Sequence, residues 1–430
     1  MTDWDVLTLE QAGVALLDCD HKTPAAREAG RPYVGIPQMT TGRVVFETAR
    51  KISEEDYVHW TRKTKYQTDD VILSRRTNPG VTAVDDTGTD FALGQNLVLL
   101  RADGSRVRPD FLRWMVHTPQ WWEQIDKYLN VGAVFSSLKC RDVPKFELTV
   151  PPIVEQQKIN SILRPIADKI ELNRRMNETL EEMARALYRD WFLDFGPTRR
   201  QMEGETSPAA IMGHALPPEK ATTLAPLFPA KLGDDGLPEG WRNSSIYDVA
   251  RVVYGAPFKS KQFNTEGQGR PLARIRDLPK NAAGQFTEEV HKKEHVIQPG
   301  DIVVGMDGEF RSYLWYGVPT LMNQRICSFV PIEKSNRAFV WLAIKPLLKF
   351  FEDTAIATTV IHLGKGDIDT FSVVYPGHEL MAAFSSAIEP VAAKIVANGQ
   401  ENQTLAALRD LLLPKLMSGE IRLKDAEAAE

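Results

Sequence analysis

Apolar residues recur in alternating steps of four and three between residues 155 and 195. The series comprises Ile159, Leu163, Ile166, Ile170, Asn173, Asn177, Leu180, Ala184, Leu187 and Trp191. This spacing is typical of a helix that packs along another helix. Asn173 and Asn177 interrupt the apolar series, and a buried amide needs hydrogen-bond partners. We therefore expect these two residues to penalise wrong registers of a coiled coil.

The same series returns 225 residues further along the chain. Its members are Phe384, Ile388, Val391, Ile395, Asn398, Asn402, Leu405, Leu412 and Leu416. Only Arg409 breaks the series, at the position that corresponds to Ala184. By direct count, 14 of the 50 residues from Leu138 to Leu187 are identical to the residue 225 positions later, without a gap. We interpret this match as an internal duplication.

Each helical stretch follows a region of mixed pattern. From Trp4 to Val150, β-rich runs such as VILS and LVLL alternate with Gly, Pro, Asn and Asp turns. Within this region the segment DFLRWMVHTPQWWEQIDKYL is predicted to form one helix. A second mixed region begins near Leu237 and matches the first at an offset that falls from 239 to 225. Two copies of one framework with different surface loops would show this drift.

The pattern divides the chain into six segments. They are a first mixed domain at 1–150, a helical region at 151–197, a linker at 198–236, a second mixed domain at 237–376, a helical region at 377–424 and a tail at 425–430. The linker is rich in Pro, Gly, Ala and Thr, and we expect it to be pinned where Leu227 and Phe228 dock. The predicted fold class is α+β, with two similar α/β domains and an internal repeat.

The two long helices are predicted to pair antiparallel. In that arrangement Asn173, Asn177, Asn398 and Asn402 can satisfy one another near the middle of the pair. Equivalent antiparallel units are related by a pseudo-twofold axis, so the pair would separate the two domains. A helix from Pro165 to Phe192 spans roughly 42 Å, which corresponds to about a dozen base pairs of duplex DNA.

Composition adds few constraints. The chain has 430 residues and a formal net charge of -5, and neither mixed domain is basic as a whole, so any DNA contact must come from local patches. No apolar run approaches the roughly 20 residues of a membrane span, and the N-terminus lacks a signal-peptide pattern. Three widely spaced cysteines suit a reducing compartment. We expect a cytoplasmic protein without membrane contact.

Several motifs resemble the specificity subunit of type I restriction-modification systems. They are PPIVEQQKINSILRPIADKIELNRRMNETLEEMARALYRDWFLDF, the LFP and LPEGW pieces, GDIVVGMDGEF, LMNQRICSF, YLNVGAVFSSLKCRDVP and LRDLLLPKLMSGEI. The resemblance covers nearly the whole chain, and the helical motif is its most specific part. The chain departs from the commonest family pattern at Arg164-Pro165 and Glu389-Pro390, where each proline is expected to start the long helix or to kink it.

The resemblance implies a function and a set of partners. Each mixed domain would be a target recognition domain that reads half of a split sequence in double-stranded DNA, and the helices would fix the gap between the halves. Two modification subunits, which bind S-adenosylmethionine and methylate adenine, would dock on the helices. Motor-nuclease restriction subunits would join for cleavage. The resemblance implies no cofactor in this chain.

Base reading calls for Arg or Lys on guanine and Asn or Gln on adenine, with further cations on phosphates. In the first domain the densest supply of such residues is Arg62, Lys63, Lys65, Tyr66, Gln67, Arg75, Arg76 and Asn78. In the second domain it is Lys259, Lys261, Gln262, Asn264, Arg274, Arg276, Arg311 and Tyr313. The alternative for each residue is an ordinary solvated surface position. Gln95 and Gln324 recur in both copies, which favours a structural role for them.

Catalytic and metal motifs are weak. His291 to His295 matches the string H-x-x-E-H, but the Pro299-Gly300 pair that follows ends any helix, so no metal site is predicted. Asp301, Glu309 and Arg311 faintly resemble a nuclease cluster but have Arg where a catalytic Lys is expected. No nucleotide-binding loop follows a strand. We therefore predict no catalytic residue and no enzyme activity in this chain.

Two alternatives remain open at this stage. The chain could pair with modification subunits only, which would make a methylation-only complex. It could also be a coiled-coil scaffold with two protein-binding domains and no DNA binding, which the acidic balance permits.

Overall fold

A computed structural model describes residues 4–20, 22–40, 42–131, 136–354 and 361–422. The predicted tail at 425–430 lies outside the described residues. Contacts group the chain into two compact units. Unit 1 comprises Met1–Asp168 together with Leu405–Glu430, and unit 2 comprises Lys169–Thr404. The six-segment division remains a prediction from sequence.

Unit 1 contains thirteen short strands and three helices among its described residues before the first long helix. The strands are β1 Asp5–Thr8, β2 Val14–Asp18, β3 Arg31–Val34, β4 Met39–Thr40, β5 Arg43–Val44, β6 Arg50–Ile52, β7 Val71–Ser74, β8 Thr82–Ala83, β9 Ala92–Leu93, β10 Leu97–Ala102, β11 Asn130–Val131, β12 Ser136–Ser137 and β13 Glu147–Val150. The helices are α1 Glu54–Thr61, α2 Pro109–Met115 and α3 Pro119–Tyr128.

The main sheet of unit 1 has four antiparallel strands in the order β2-β10-β7-β8. Alternate residues of its central strands are buried in different cores: Val71 and Leu73 belong to one, and Ile72 belongs to the other. A sheet covered on both faces needs apolar residues at every position, which explains the continuous runs VILS and LVLL. Both runs form strands, as predicted. The smaller sheets are β1-β13, β6-β3-β9, β4-β5 and β11-β12.

The predicted single helix at 110–129 is wrong, because the structure divides it into α2 and α3. Thr118 precedes the second helix, and its hydroxyl oxygen accepts a hydrogen bond from the amide of Trp121. Pro119 occupies the first turn. A Thr followed by Pro is a helix start signal, since the hydroxyl caps a free amide and proline has no amide to satisfy.

Unit 2 repeats this arrangement and adds short helices. Its strands are β14 Arg242–Ser245, β15 Ala250–Tyr254, β16 Phe263–Asn264, β17 Arg270–Ala273, β18 Gln285–Thr287, β19 Val296–Ile297, β20 Ile302–Gly305, β21 Ser312–Leu314, β22 Thr320–Met322, β23 Ile326–Pro331 and β24 Ser372–Tyr375. The helices of the chain continue with α4 Ile153–Phe192, α5 Gly196–Met202, α6 Pro208–Ile211, α7 Pro218–Leu224, α8 Arg337–Thr354, α9 Lys365–Ile368 and α10 His378–Met417.

The strand orders of the two units match. The four-stranded sheet of unit 2 runs β15-β23-β20-β21, which is the order β2-β10-β7-β8 of unit 1 shifted along the chain. The pair β14-β24 corresponds to β1-β13, and the parallel pair β17-β22 corresponds to β3-β9. Equal order and equal strand direction in both units confirm the internal repeat and the α+β class.

Helices α4 and α10 contribute to both units, and in unit 2 they run antiparallel. In unit 2, Asn173 contacts Asn402 and Asn177 contacts Asn398, so the residue number falls on one helix as it rises on the other. In unit 1, the earlier residue Leu163 and the later residue Leu416 lie in the same core. The antiparallel pairing was predicted from the positions of the asparagines.

The expected start of the long helices at their prolines is wrong. Pro165 lies inside α4, which begins at Ile153, and Pro390 lies inside α10, which begins at His378. Two residues separate the short strands β13 and β24 from the helices that follow them, which start well before Pro165 and Pro390. The two prolines occupy equivalent positions in the repeat.

Helix α10 is more apolar than expected, since no apolar run of the length of a membrane span was predicted. By length and composition alone it could cross a membrane. In unit 2, Phe384, Ile388 and Ala392 of this helix are buried in the same core as Ala184 and Tyr188 of α4. Burial in this core accounts for part of the apolar character, since 39% of the apolar window of α10 is buried.

The segment from Gly196 to Phe228 is folded rather than a loose connector. It forms α5, α6, α7 and a 3₁₀ turn at Ala225–Leu227. Phe228 is buried, and its ring stands edge-on to Trp191 with ring centroids 5.2 Å apart. The expected docking of Phe228 therefore occurs, while the helices around it were not predicted.

Candidate nucleic-acid interface

The predicted DNA-contacting residues of unit 1 cluster mainly around one end of its four-stranded sheet. We define sheet end 1 as the place where β2 and β7 finish and β10 starts, together with the turn that joins β7 to β8. Arg75, Arg76 and Asn78 lie in that turn, which connects Ser74 to Thr82. Arg62 and Lys63 approach the same end through Asp20, two residues after β2.

Asp20 holds the two cations of the α1 terminus. The ammonium of Lys63 lies 2.7 Å from Asp20 Oδ1, and the guanidinium of Arg62 lies 3.9 Å from Oδ2. The hydrogen bond from Lys63 lowers the pKa of the Asp20 carboxyl. One carboxylate thus offsets part of a doubly positive patch, and both basic side chains remain more than half exposed.

Arg75 differs from its neighbours in burial. Its side chain is half-buried, and Nη1 donates to the carbonyl oxygen of Leu138 at 3.4 Å. Backbone hydrogen bonds hold the residue on both sides, from the Arg75 amide to Asn96 O and from the Leu138 amide to Arg75 O, each 2.9 Å. Arg76 and Asn78 are exposed. These hydrogen bonds therefore anchor Arg75, while the side chains of Arg76 and Asn78 face solvent.

Tyr66 has a packing role in the structure. Its hydroxyl donates to the carbonyl of Asp85 and accepts from the amide of the same residue, and its ring lies 5.0 Å from that of Phe91. Burial raises its pKa. Lys65 pairs with Asp90 at 2.9 Å, while Gln67 is exposed.

Sheet end 2 is the equivalent place in unit 2, where β15 and β20 finish and β23 starts. Lys259, Lys261 and Gln262 follow β15 and are exposed. They border a cleft of about 410 Å³ lined by Lys261, Gln262, Phe263, Asn264, Gln268, Glu288 and Glu289. Asn264 closes a turn, because its amide donates to Gln268 O and its Oδ1 accepts from the Gln268 amide.

The other four predicted residues of unit 2 divide into exposed and packed. Arg276 is exposed, and Arg311 is exposed in a surface ion pair with Glu309 at 3.1 Å. Arg274 is half-buried, with its guanidinium 5.9 Å from the centre of the Phe263 ring. Tyr313 is packed against a buried core, and burial raises its pKa.

Sequence reasoning missed a polar cluster at sheet end 2. Asp307 follows β20, Arg325 precedes β23, and His362 forms an isolated β-bridge with Asp307. Asp307 forms an ion pair with Arg325 and a hydrogen bond with His362. One difference between the two copies could have indicated this cluster. Arg325 follows the repeated Gln324, whereas Asn96 follows Gln95 in the first copy.

The four asparagines of the helix pair form two bonded pairs in unit 2. Asn173 Nδ2 donates to Asn402 Oδ1 at 3.0 Å, and Asn398 Nδ2 donates to Asn177 Oδ1 at 2.8 Å. Exchanging the two copies of the repeat converts one contact into the other. Their role in setting the helix register remains a prediction.

The environments of the two central asparagines differ. Asn173 Nδ2 also donates to Glu401 Oε2 at 2.7 Å, and its Oδ1 accepts from Lys169 Nζ at 3.0 Å. The hydrogen bond with Asn173 lowers the pKa of Glu401. Asn398 is equally buried, but its Oδ1 has no hydrogen-bond partner among the described residues.

The segment from His291 to His295 does not form a helix. Glu294 instead forms two hydrogen bonds with the Arg270 guanidinium, at 2.6 and 2.8 Å, and this contact lowers its pKa to about 2. Within the described ranges, no group of three or more His, Cys, Asp or Glu side chains could hold a metal ion.

The family model and the relatives that match this chain all belong to type I restriction systems. The model of the type I restriction modification DNA specificity domain matches residues 3–182 and 238–392. The type I restriction enzyme HindI specificity subunit of Haemophilus influenzae is 26% identical over 79% of this chain and 83% of its own length. The MjaIX specificity subunit of Methanocaldococcus jannaschii is 22% identical over 98% of this chain and 94% of its own.

A solved structure has the same fold. The type I restriction-modification system S subunit from M. genitalium superposes with a TM-score of 0.51, at 16% identity, over 96% of each chain. The two segments matched by the family model together make up more than half of the sequence, and each includes one four-stranded sheet and at least part of the long helix that follows it. The chain therefore belongs to the type I restriction modification DNA specificity domain family.

Proposed function

We propose that this chain is the DNA-recognition subunit of a type I restriction-modification complex, that it acts in the cytoplasm and that it has no catalytic activity of its own. One observation carries the proposal. The two units have the same strand order and the same backbone hydrogen bonds at their sheet ends, but they present different polar side chains there. A protein that reads two unlike half-sites needs such an arrangement.

Each sheet end would contact one half of a split DNA target. Exposed basic and amide side chains surround both ends, and such groups suit phosphate oxygens and the edges of bases. Asp20 and Glu309 partly neutralise them. This balance agrees with a chain whose overall charge is negative and whose DNA affinity comes from local patches, or from partners that supply phosphate contacts.

The proposed partners are two modification subunits and motor-nuclease restriction subunits. The modification subunits would bind S-adenosylmethionine, methylate adenine and dock on α4 and α10. Membership of the specificity family and the two long paired helices support this proposal. The helix pair would also fix the number of base pairs between the half-sites.

The direct test is a map of methylated adenines in a host that expresses the complete operon. We expect methylation in a two-part motif with a constant gap, and its loss when this chain alone is deleted. A methylation pattern that is unchanged by the deletion would contradict the proposal. Restriction of unmodified phage DNA by the same host would distinguish a full restriction complex from a methylation-only complex.

Binding measurements separate a DNA reader from a protein scaffold. With modification subunits present, affinity for the mapped target should fall steeply with salt, by roughly 10³-fold or more between 50 and 200 mM if six or more phosphates are contacted. A scaffold without a DNA-binding role would show no such dependence. A matched duplex with both half-sites scrambled controls for non-specific binding.

A further inference from the structure

Three polar side chains meet at sheet end 2. His362 Nδ1 lies 2.7 Å from Asp307 Oδ1, Arg325 Nη1 lies 3.4 Å from the same oxygen, and Nη1 and Nδ1 are 3.1 Å apart. The short distance to the carboxylate fits a His362 tautomer that donates from Nδ1 to Asp307. Asp307 therefore holds both the imidazole and one corner of the guanidinium.

The backbone beneath this trio is rigid. The Met306 amide donates to Arg325 O at 3.0 Å, and the Leu363 amide donates to Met306 O at 2.8 Å. Met306 and Leu363 are themselves buried in the core of unit 2. The three polar residues thus project from strand ends whose neighbours are fixed by packing.

The contacts among Arg325, His362 and Asp307 contribute little to the stability of the fold. The side chains of Arg325, His362 and Asp307 are 51%, 44% and 27% exposed. Ion pairs with this much solvent contact contribute little to stability. Within the described residues, the Nε and Nη2 groups of Arg325 have no hydrogen-bond partner. Among these residues Arg325 is therefore an oriented cation whose remaining N–H groups could donate to a ligand.

The repeat provides an internal comparison. The isolated bridge between Arg76 and Ser137 in unit 1 occupies the place of the bridge between Asp307 and His362 in unit 2. Asn96 stands where Arg325 stands, since its carbonyl accepts the equivalent hydrogen bond from Arg75. The backbone contacts agree and all three side chains differ. Positions that vary on a constant backbone suit residues that determine which bases are read.

We propose that Arg325 reads a guanine in the half-site bound by unit 2 and that Asp307, which also binds His362, positions it. This inference rests on the proposed function. A guanidinium presents two parallel donors to O6 and N7 of guanine in the major groove. Because Asp307 engages only Nη1, the remaining N–H groups stay available. Orientation by the carboxylate lowers the conformational freedom that would be lost on binding.

The test is methylome sequencing of hosts that carry the complete operon with single substitutions in this chain. With Arg325→Ala we expect one guanine of one half-site to become degenerate in the methylated motif. The other half-site and the gap should stay as in the wild type. Asp307→Asn should relax the same position to a smaller extent, because the guanidinium remains but is no longer held. Lys231→Ala removes an exposed, ion-paired cation outside sheet end 2 and should leave the motif unchanged.

A binding assay covers variants that give no methylation. Wild-type complex should bind a duplex with that guanine replaced by adenine roughly tenfold or more weakly than the cognate duplex. The Arg325→Ala complex should lose most of this discrimination while binding scrambled duplex as the wild type does, which shows a folded protein.

The outcomes separate the two levels of the proposal. If the wild-type operon methylates a two-part motif and Arg325→Ala leaves every position of that motif intact, Arg325 does not read a base. Retention of the wild-type discrimination by the Arg325→Ala complex would have the same meaning. If the wild-type operon methylates no two-part motif, the proposed function itself fails.

Discussion

Arg75 and Arg76 of unit 1 occupy the same sheet position as Met306 and Asp307 of unit 2. In both units the first residue of the pair bonds through its amide to the residue before the central strand, and through its carbonyl to Leu138 or Leu363. The side chains share no chemistry. In unit 1 Arg75 and Arg76 belong to the turn after β7, whereas in unit 2 the segment after β20 carries Asp307, and Arg325 immediately precedes β23.

Under the proposed function, this difference would allow recognition to change without a change of fold. The backbone hydrogen bonds and the two-sided core hold each sheet, and neither depends on the polar side chains at its end. Substitutions there can alter the donors and acceptors offered to a ligand at little cost in stability, since surface changes usually alter it by less than about 0.5 kcal/mol.

The largest expected effect comes from lengthening the two long helices together. Insertion of four residues after Asn177, with a matched insertion between Val391 and Ile395, would lengthen the pair by one turn, about 6 Å. We expect the original target to lose methylation and a target with the same half-sites and a longer gap to gain it. Methylome sequencing measures both. An unchanged gap would contradict the role of the helices as a spacer.

The insertion needs a control for altered docking. Replacing the exposed residues Glu178 and Thr179 with alanine, at unchanged length, should keep the original gap. Should this variant also change the gap, helix length would not be the cause.

A second test compares the ends of the two long helices. Phe192 is fully buried, with its ring centroid 5.0 Å from Phe384 and 5.2 Å from Phe339, whereas Met417 is the equivalent residue in unit 1. Phe192→Ala should lower the free energy of unfolding by about 3–5 kcal/mol. Met417→Ala should lower it by about 2 kcal/mol, because a flexible side chain leaves a smaller cavity. Urea denaturation followed by tryptophan fluorescence distinguishes the two; equal losses would contradict this packing account.

The asparagines allow a smaller and sharper comparison. Asn173→Ala removes an amide with three partners and leaves Lys169 and Asn402 short of a hydrogen bond, so we expect a loss of about 2 kcal/mol. Asn398→Ala should lose about 1 kcal/mol, because it also removes a buried oxygen that has no partner. Thermal denaturation of both variants shows which loss of stability is larger. A larger loss for Asn398→Ala would contradict the effect expected from the different hydrogen bonding of the two asparagines.

The smallest effect concerns acid stability. Arg270 and Arg31 are equivalent, but Arg270 binds Glu294 through two hydrogen bonds, whereas Arg31 forms exposed contacts with Glu54 and Asp90. The pKa of Glu294 falls from 4.5 to about 2, so the pair stabilises unit 2 above pH 4.5 and loses this contribution as the pH falls towards 2. Urea midpoints of wild type and Glu294→Gln should therefore converge as the pH is lowered from 6 to 3. A constant difference would mean that ionisation of Glu294 is not involved.

Periodicity was enough to predict the long helices, their antiparallel pairing and the repeat. Each of these depends on residues such as Leu163 and Ile395 that recur at fixed spacing. This spacing can be read from one sequence without an alignment. Two predictions that concern proline were wrong. Thr118 and Pro119 start a new helix where the apolar pattern continues, and the prediction overlooked this local signal. Pro165 lies within a helix where a start was expected, because tertiary packing overrode its low helix propensity.

The candidate interface was less predictable. Residue type alone selected Tyr66 and Arg274, which the structure packs against aromatic rings. It overlooked Arg325, because its neighbours in space, Asp307 and His362, are distant in the chain. Which polar side chains stand together at a sheet end depends on strand order, and local sequence does not report strand order.

The burial of Phe228 has a practical consequence for anyone who wishes to exchange recognition modules. A fragment that begins near Leu237, where the sequence suggests a boundary, would omit Trp191, Phe192 and Phe228 and leave Trp241 facing water. Such a truncation would aggregate rather than fold. A transplantable second module has to carry the end of the preceding long helix and the whole stretch that leads from it.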